Sequence, residues 1–398
     1  MSAEGGAGGA GGAGGAGGAG GAGVAGTPPS VLGDAELLTQ AMISHRDGIV
    51  GPWTNTNFAI QPWQNDGGHI EDEQQMWRWD DWVRASVYDF ELASNLAFGV
   101  DPGTNAALKN LGGVQLWHRD FDPGTAPSAP VPIVAMYRPP ESTFVQQLAF
   151  MDRYSDLRAE RANETLIQMG PQTAFWSSIL NLSPMRTPKT LELLNTVIRF
   201  SILVEMRFKH ALACARAIDY SPQTQPMIAT PGHGSLPSGH STQAYIIAEV
   251  MWAFFNEVFG GNNPPNAAVW TTLRAQLLAQ AARVAINRTI AGVHFPVDSA
   301  AGHVLGTTLA EYFIARCKSD PQGPLGAVPY TPRTFRGDKF VGTNDFDPNE
   351  ALGPQGAPPP HVVPGAPVST VRRSRILAWM WKNAKNEWDG TSYNGSHI

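Results

Sequence analysis

Apolar side chains recur at helical spacing along most of the chain. The first pattern covers 31–46, where Leu32, Ala35, Leu38 and Met42 follow the period of an amphipathic helix. The same period predicts further helices over 76–96, 142–163, 188–217, 238–259, 266–289 and 296–316. Because the alternation typical of strands is almost absent, we predict a mainly α-helical bundle with few or no strands.

Composition divides the chain into four parts. Residues 1–26 are almost entirely Gly and Ala, so we expect a disordered tail there. Residues 27–187 are predicted to form an N-terminal helical region, and 188–318 a helical bundle that carries the functional site. Residues 319–398 are rich in Pro and Gly, and we expect them to wrap around the helical body. A Pro-rich passage over 122–140 is typical of a long irregular connection.

Size and charge exclude several classes of function. The chain has 398 residues, 42% of them hydrophobic, so it can bury a large core. A net charge of −6 gives no basic surface for nucleic acid or an anionic membrane. Two cysteines are too few for a disulfide framework or a CxxC site. No export signal and no membrane span are recognisable, so we expect a soluble, cytoplasmic protein, with export by another route left open.

Two cations in the 188–217 helix are the first candidate for chemistry. Lys209 and Arg216 lie seven residues apart, which is about two helical turns, so both are predicted on one face. Together they could bind one anion. The alternative is a solvated basic edge, and the pair alone does not decide between the two interpretations.

A short segment before the next predicted helix is a second candidate. In Pro237-Ser238-Gly239-His240, a hydroxyl and a backbone N–H can face an anion at a helix N-terminus. Gly239 allows close approach to the backbone, and His240 can transfer a proton near neutral pH. The alternative is a helix cap with an incidental histidine.

The third candidate follows the 266–289 helix. Arg288 ends that helix, His294 comes six residues later, and Pro296 suits the first turn of another helix. Asp298 lies four residues after His294 and is placed to accept a proton from Nδ1, which leaves Nε2 with a directed lone pair. Such a histidine is a nucleophile or a metal ligand. The alternative is a buried His–Asp hydrogen bond without a catalytic role.

The order of the three blocks resembles a known superfamily. Lys209-x6-Arg216, Ser238-Gly239-His240 and Arg288-x5-His294 follow the signature of the vanadium haloperoxidases and type 2 phosphatidic acid phosphatases. The blocks span about a quarter of the chain. Two positions depart from the usual pattern, because Arg216 is followed by Ala217 rather than Pro, and Asn287 stands where Ser usually precedes the arginine.

The resemblance implies a helical fold, a cofactor and a role for each residue. His294 would bind vanadium of orthovanadate through Nε2, with Asp298 orienting the ring. The vanadate oxygens would be held by Lys209, Arg216, Ser238, Gly239 and Arg288. His240 would transfer protons while hydrogen peroxide oxidises a halide, and the product would halogenate a small organic substrate.

The same residues also suit phosphate ester hydrolysis. His294 would then form a phosphohistidine, and His240 would protonate the leaving alcohol. His233 favours the haloperoxidase, because bromoperoxidases of the family have a second histidine seven residues before the position of His240. We therefore expect a bromide-oxidising haloperoxidase, with a soluble phosphatase as the alternative and a non-catalytic oxyanion-binding protein as a third reading. The resemblance also suggests a homo-oligomer of unspecified subunit number.

Overall fold

The computed structural model describes most of the chain beyond its N-terminal tail. The described residues are 35–51, 73–99, 113–120, 129–170, 172–260, 267–319, 326–353 and 356–388. The predicted tail over 1–26 lies outside them. Among the described residues, no helix is both long enough and apolar enough to cross a lipid bilayer.

Helices make up most of the fold. In chain order they are α1 (Ala35–Ile49), α2 (Asp81–Ser94), α3 (Glu141–Ser155), α4 (Arg158–Ile167), α5 (Thr173–Leu180), α6 (Pro188–Leu212), α7 (Ala217–Tyr220), α8 (Gly239–Phe255), α9 (Ala267–Ile290), α10 (Pro296–Lys318) and α11 (Arg375–Asn386). The predicted helix over 142–163 is in fact two helices, α3 and α4, because the chain turns at 156–157. The helix predicted over 76–96 combines a 3-10 turn (Glu73–Arg78) with α2.

Helices α8 and α10 form the centre of the core. Every residue from Pro296 to Ala310 is buried, and so is most of α8, because both helices carry mainly apolar or small uncharged side chains around their circumference. The two helices approach closely at Gly306, where a Cβ atom would lie 2.5 Å from the carbonyl oxygen of Thr242. Helices α6 and α9 pack against α8 and complete the bundle.

The mainly α-helical prediction is confirmed, but a small five-stranded sheet accompanies the bundle, so the expectation that strands are almost absent is wrong. Its strands are β1 (Leu96–Gly99), β2 (Gly113–His118), β3 (Val131–Tyr137), β4 (Arg333–Arg336) and β5 (Val362–Pro364). They lie in sequence order, and all neighbours are antiparallel except β3 and β4, which are parallel.

Strand β3 also corrects the prediction of an irregular connection over 122–140. Residues 133–137 are all buried, so this strand has no polar face and its sequence shows no alternation. A short, wholly apolar run does not distinguish a strand from a loop or a buried helix.

The C-terminal region packs on the bundle at two places. Strand β4 extends the sheet beside β3, while α11 packs against α6 and buries Leu377, Met380 and Ala384. The carboxylate of Glu387 accepts hydrogen bonds from the backbone N–H groups of Lys189 and Thr190 in the first turn of α6. This contact stabilises the N-terminus of the helix that carries Lys209.

Candidate active site

Lys209 and Arg216 do not share a helix, so that prediction is wrong. Helix α6 ends at Leu212, because Ala213 adopts a left-handed conformation with φ 47°. Arg216 is the N-cap residue of α7, where its backbone N–H donates to Oδ2 of Asp219 at 2.8 Å. The charge of Arg216 nevertheless acts on Lys209 across this break. Burial, followed by the charge of Arg216, lowers the pKa of Lys209.

Lys209 holds the loop that leads into α8. Its Nζ donates to the backbone carbonyls of Pro237, of Ser235 at 3.1 Å and of Gly234 at 3.3 Å. Lys209 is 1% exposed, so these carbonyls replace the water that its ammonium group loses on burial. Lys209 therefore fixes the path of residues 234–237, which ends in the cis peptide bond between Leu236 and Pro237.

The N-terminus of α8 carries the predicted anion-binding segment. Ser238 is the N-cap residue, and its hydroxyl accepts a weak hydrogen bond from the N–H of Ser241 at 3.4 Å. Gly239 is the first helical residue, where a Cβ atom would lie 2.6 Å from Oε1 of Glu205. The helix dipole and the free N–H groups of the first turn favour an anion at this end.

His240 is buried and held by a main-chain contact. Its Nε2 lies 2.8 Å from the carbonyl oxygen of Gln168, so Nε2 carries a proton and donates it. Burial, followed by the charge of Arg288, lowers the pKa of His240 well below its ordinary value. The imidazole is therefore neutral at pH 7 in this environment.

Arg288 has donors without partners. It lies in the last turn of α9, where its Nη2 donates to Oε1 of Gln168 at 2.9 Å and to the carbonyl of Thr165 at 3.1 Å. Its Nε and Nη1 are buried and have no hydrogen-bond partner among the described residues. Burial lowers its pKa to about 10, so it remains charged at neutral pH. Buried donors of a charged group normally have acceptors, so these nitrogens indicate a place for an anion.

His294 and Asp298 lie as their spacing predicts. Pro296 occupies the first turn of α10, and Nδ1 of His294 lies 3.1 Å from Oδ2 of Asp298. Arg216 Nη1 lies 3.1 Å from Nε2 of His294. A guanidinium only donates, so Nε2 accepts and Nδ1 carries the proton. Burial, followed by the charge of Arg216, lowers the pKa of His294 well below its ordinary value, so the ring is neutral.

Asp298 also ties together the segments around His294. Its Oδ2 accepts hydrogen bonds from the backbone N–H of Phe295 at 2.9 Å and from the hydroxyl of Ser235. Ser235 follows Gly234 in the loop held by Lys209, so one carboxylate joins that loop to the start of α10. Burial raises the pKa of Asp298, while these hydrogen bonds lower it.

His233 borders the same cluster. Its Nδ1 lies 3.1 Å from Nη2 of Arg216, and its backbone carbonyl accepts from Nε of Arg216 at 3.0 Å. Burial, followed by the charge of Lys209, lowers the pKa of His233 to about 4. The structure thus brings all nine predicted side chains and backbone groups into one cluster through shared contacts and charges. They are Lys209, Arg216, His233, Ser238, Gly239, His240, Arg288, His294 and Asp298.

Sequence reasoning missed two buried residues of this cluster. Glu205 lies one turn before Lys209 and is fully buried. A charged residue on the apolar face of α6 could have marked it as a candidate from the sequence. Gln168 contacts both His240 and Arg288. No motif marks Gln168, because it lies 72 residues before His240.

The donor set fits a tetrahedral oxyanion better than a conventional metal ion. The described residues contain no group of three or more His, Cys, Asp or Glu side chains that could hold a metal. They do place the buried guanidinium group of Arg216 beside the lone pair of His294, and the charge of the buried Arg288 acts on His240. Phosphate and vanadate share the shape and charge that such a site recognises.

A family comparison relates one segment of the chain to a known superfamily. Residues 190–319 match the PAP2 superfamily. The chain is also similar to a solved structure described as "Crystal structure of the first transmembrane PAP2 type phosphatidylglycerolphosphate phosphatase from Bacillus subtilis". The identity is 18% and the TM-score is 0.32. It covers 42% of this chain and 81% of that one. No curated protein matches the chain. The segment that holds the nine site residues is therefore similar to a PAP2 superfamily domain.

Proposed function

We propose that this chain hydrolyses phosphate monoesters through a phosphohistidine at His294. The observation that carries the proposal is the hydrogen bond from Nδ1 of His294 to Asp298, which leaves a neutral ring with its lone pair at Nε2. That lone pair faces the guanidinium of Arg216. The similarity to the PAP2 superfamily, whose members include phosphatases, supports this choice over the haloperoxidase expected from sequence.

In the first step, Nε2 of His294 attacks phosphorus and the bond to the ester oxygen breaks. Arg216, Arg288 and the first turn of α8 stabilise the charge on the three other oxygens. The leaving alkoxide takes a proton from His240. A dianionic phosphate offsets the positive charges that lower the pKa of His240, so substrate binding favours the protonated imidazole.

In the second step, water attacks the phosphohistidine. His240, which has lost its proton to the alcohol, accepts one from that water. The nitrogen–phosphorus bond breaks, inorganic phosphate leaves, and the lone pair returns to Nε2 of His294. Asp298 holds Nδ1 throughout and stabilises the positive charge that develops on the ring.

The position of His233 favours a second candidate, bromide oxidation with vanadate and hydrogen peroxide. Its imidazole contacts Arg216 and its buried Nε2 has no hydrogen-bond partner among the described residues. The residues around it fit the cofactor, since His294 offers one nitrogen ligand and Arg216, Arg288, Ser238 and Gly239 offer oxyanion contacts. Lys209 adds its positive charge, while its three donors hold backbone carbonyls. Bound vanadate would supply a Lewis acid for peroxide activation.

One pair of assays separates these candidates. Purified protein is given p-nitrophenyl phosphate, and separately bromide, hydrogen peroxide and monochlorodimedone with and without orthovanadate. Ester hydrolysis that vanadate inhibits, with a phosphoenzyme that survives base and is lost in acid, supports the phosphatase. Vanadate-dependent bromination without ester hydrolysis would replace it by the haloperoxidase. Tight phosphate binding without either reaction would leave a non-catalytic oxyanion-binding protein.

A further inference from the structure

Gln168 contacts two site residues with two different parts of the same residue. Its side-chain Oε1 accepts from Nη2 of Arg288 at 2.9 Å, and its backbone carbonyl accepts from Nε2 of His240 at 2.8 Å. Gln168 is fully buried and lies directly after α4. It is outside the 190–319 segment that matches the PAP2 superfamily.

We propose that Gln168 is a positioning residue, which aims Arg288 at the oxyanion through its side chain and holds the ring of His240 through its backbone carbonyl. The inference rests on the proposed function for the identity of the anion, a phosphoryl group. It adds that the N-terminal helical region supplies a part of the site.

The geometry of Arg288 shows why one acceptor has this effect. Nη2 has two hydrogens, which are taken by Oε1 of Gln168 and the carbonyl of Thr165. A guanidinium is planar and rigid, so fixing one nitrogen fixes the directions of the others. Nε and Nη1, the nitrogens without partners, are therefore held in one orientation.

The neutral amide of Gln168 preserves the charge of Arg288 for a ligand. A carboxylate at this place would form an ion pair and compete with an oxyanion. The carboxylate of Glu164 lies on the other side of the amide, where it accepts from Nε2 of Gln168 at 3.2 Å and from Nδ2 of Asn287 at 2.9 Å, and pairs with Arg283 at 2.7 Å. Asn287 in turn donates to Oε1 of Gln168 at 3.0 Å. This network orients the amide oxygen toward Arg288 without placing a negative charge on it.

The two contacts can be separated by mutation, because substitution removes the side chain and keeps the backbone carbonyl. Gln168→Leu loses the acceptor for Arg288, whereas Gln168→Glu keeps an acceptor of the same length and adds a charge. Both should weaken phosphate binding about tenfold or more. Neither should change the dependence of kcat on the leaving group, which reports on His240.

The test measures binding of inorganic phosphate to the full-length protein by titration calorimetry, so it does not require turnover. Gln172→Leu is the matched control, because Gln172 is 5% exposed and its Oε1 has no hydrogen-bond partner among the described residues. Weaker binding in both Gln168 variants, with Gln172→Leu close to the wild type, supports the proposal. Thermal unfolding of each variant is measured to show that it is folded. If Gln168→Leu does not fold, the phosphate affinity of Gln168→Glu is the test.

Unchanged phosphate affinity in the folded Gln168 variants, or an equal loss in Gln172→Leu, would overturn the proposal. So would a wild-type protein that does not bind phosphate. If the wild type binds phosphate but hydrolyses no ester, the proposed function fails while the role of Gln168 in anion binding is still measured. Where the wild type does turn over, KM should rise in Gln168→Glu with little change in kcat.

Discussion

Nη1 of Arg216 lies 3.1 Å from Nε2 of His294, so a cation faces the lone pair that the proposed reaction uses. The same Nη1 donates to the carbonyl of Val293 at 2.7 Å, which keeps the guanidinium in place. An incoming phosphoryl group would take the place of the imidazole as the second acceptor. The hydrogen bond of Arg216 would then change its acceptor from Nε2 of His294 to a phosphoryl oxygen, with little movement of the guanidinium. Electrostatic catalysis requires donors that are preorganised in this way.

His294→Ala should abolish the phosphoenzyme, because the proposed covalent bond forms at Nε2. We expect kcat for p-nitrophenyl phosphate to fall by about 10³-fold or more. The measurement combines steady-state kinetics with mass spectrometry after a basic quench. The control is His210→Ala, since His210 is exposed at the end of the same helix as Lys209. A phosphorylated His294→Ala protein would assign the nucleophile elsewhere.

His240→Ala should slow the reaction most for esters with poor leaving groups. Loss of the proton donor should reduce kcat by about 10²–10⁴-fold for an alkyl phosphate. A nitrophenolate leaving group needs little protonation, so p-nitrophenyl phosphate should lose less. The ratio of the two rates is the measurement. An equal loss for both esters would remove His240 from the leaving-group step.

Glu205→Gln should change how stability depends on pH. Burial raises the pKa of Glu205, and its Oε2 has no hydrogen-bond partner among the described residues. An acid with a raised pKa in the folded state is fully compatible with folding at low pH and costs stability as pH rises through that pKa. The variant lacks this loss, so it should be more stable than the wild type at about pH 8, by about 1 kcal/mol or more, with little difference at about pH 4, below the unfolded-state pKa.

Urea unfolding at the two pH values measures the effect on Glu205→Gln. Glu192→Gln is the control, for which we expect the opposite change in stability at high pH. Against the effect of burial, Arg84 and Lys189 lower the pKa of Glu192, and Arg84 pairs with it at 2.6 Å. That variant should lose stability at about pH 8, because Arg84 is left buried without its partner. If the free energy of unfolding depends on pH equally in Glu205→Gln and the wild type, the raised pKa of Glu205 is contradicted.

Gly306→Ala should destabilise the bundle by about 1–3 kcal/mol, because the new Cβ would meet the backbone of α8. The carbonyl oxygen of Thr242 would be 2.5 Å away and the N atom of Ile246 3.0 Å away. Gly48→Ala is the control, since nothing lies within 4 Å of a Cβ there and Ala favours the helix by about 0.5–1 kcal/mol. Denaturant midpoints should therefore move in opposite directions, and a neutral Gly306→Ala would show that the helices can separate.

What the sequence could predict depends on how far apart the partners lie. His294 and Asp298 are four residues apart, so the local geometry of a helix start determines their contact. Lys209 and Arg216 were predicted on one helix face and lie in different elements, since helical periodicity cannot show where Ala213 ends the helix. Gln168 could not be found from sequence, because tertiary packing alone brings it to Arg288, 120 residues further along.

The strands were missed for a related reason. Strand β3 pairs with β2 and with β4, which lies about 200 residues later, and its buried residues show no alternation. The helices of the bundle are long and periodic, so their existence followed from pattern and only their ends did not. Local chemistry was therefore predictable, and the supporting contacts from other parts of the chain were not.

The capping of α6 by Glu387 also bears on how the chain folds. The N–H of Thr190 and the carboxylate of Glu387 are 197 positions apart and 2.8 Å from each other in space. Contacts of such high contact order form late, because a long loop must close before they contribute. Truncation before Glu387 would leave the first turn of α6 without these acceptors and increase fraying of the helix that ends beside Lys209. A ribosome-bound chain would lack this cap until Glu387 has been synthesised and has left the ribosome.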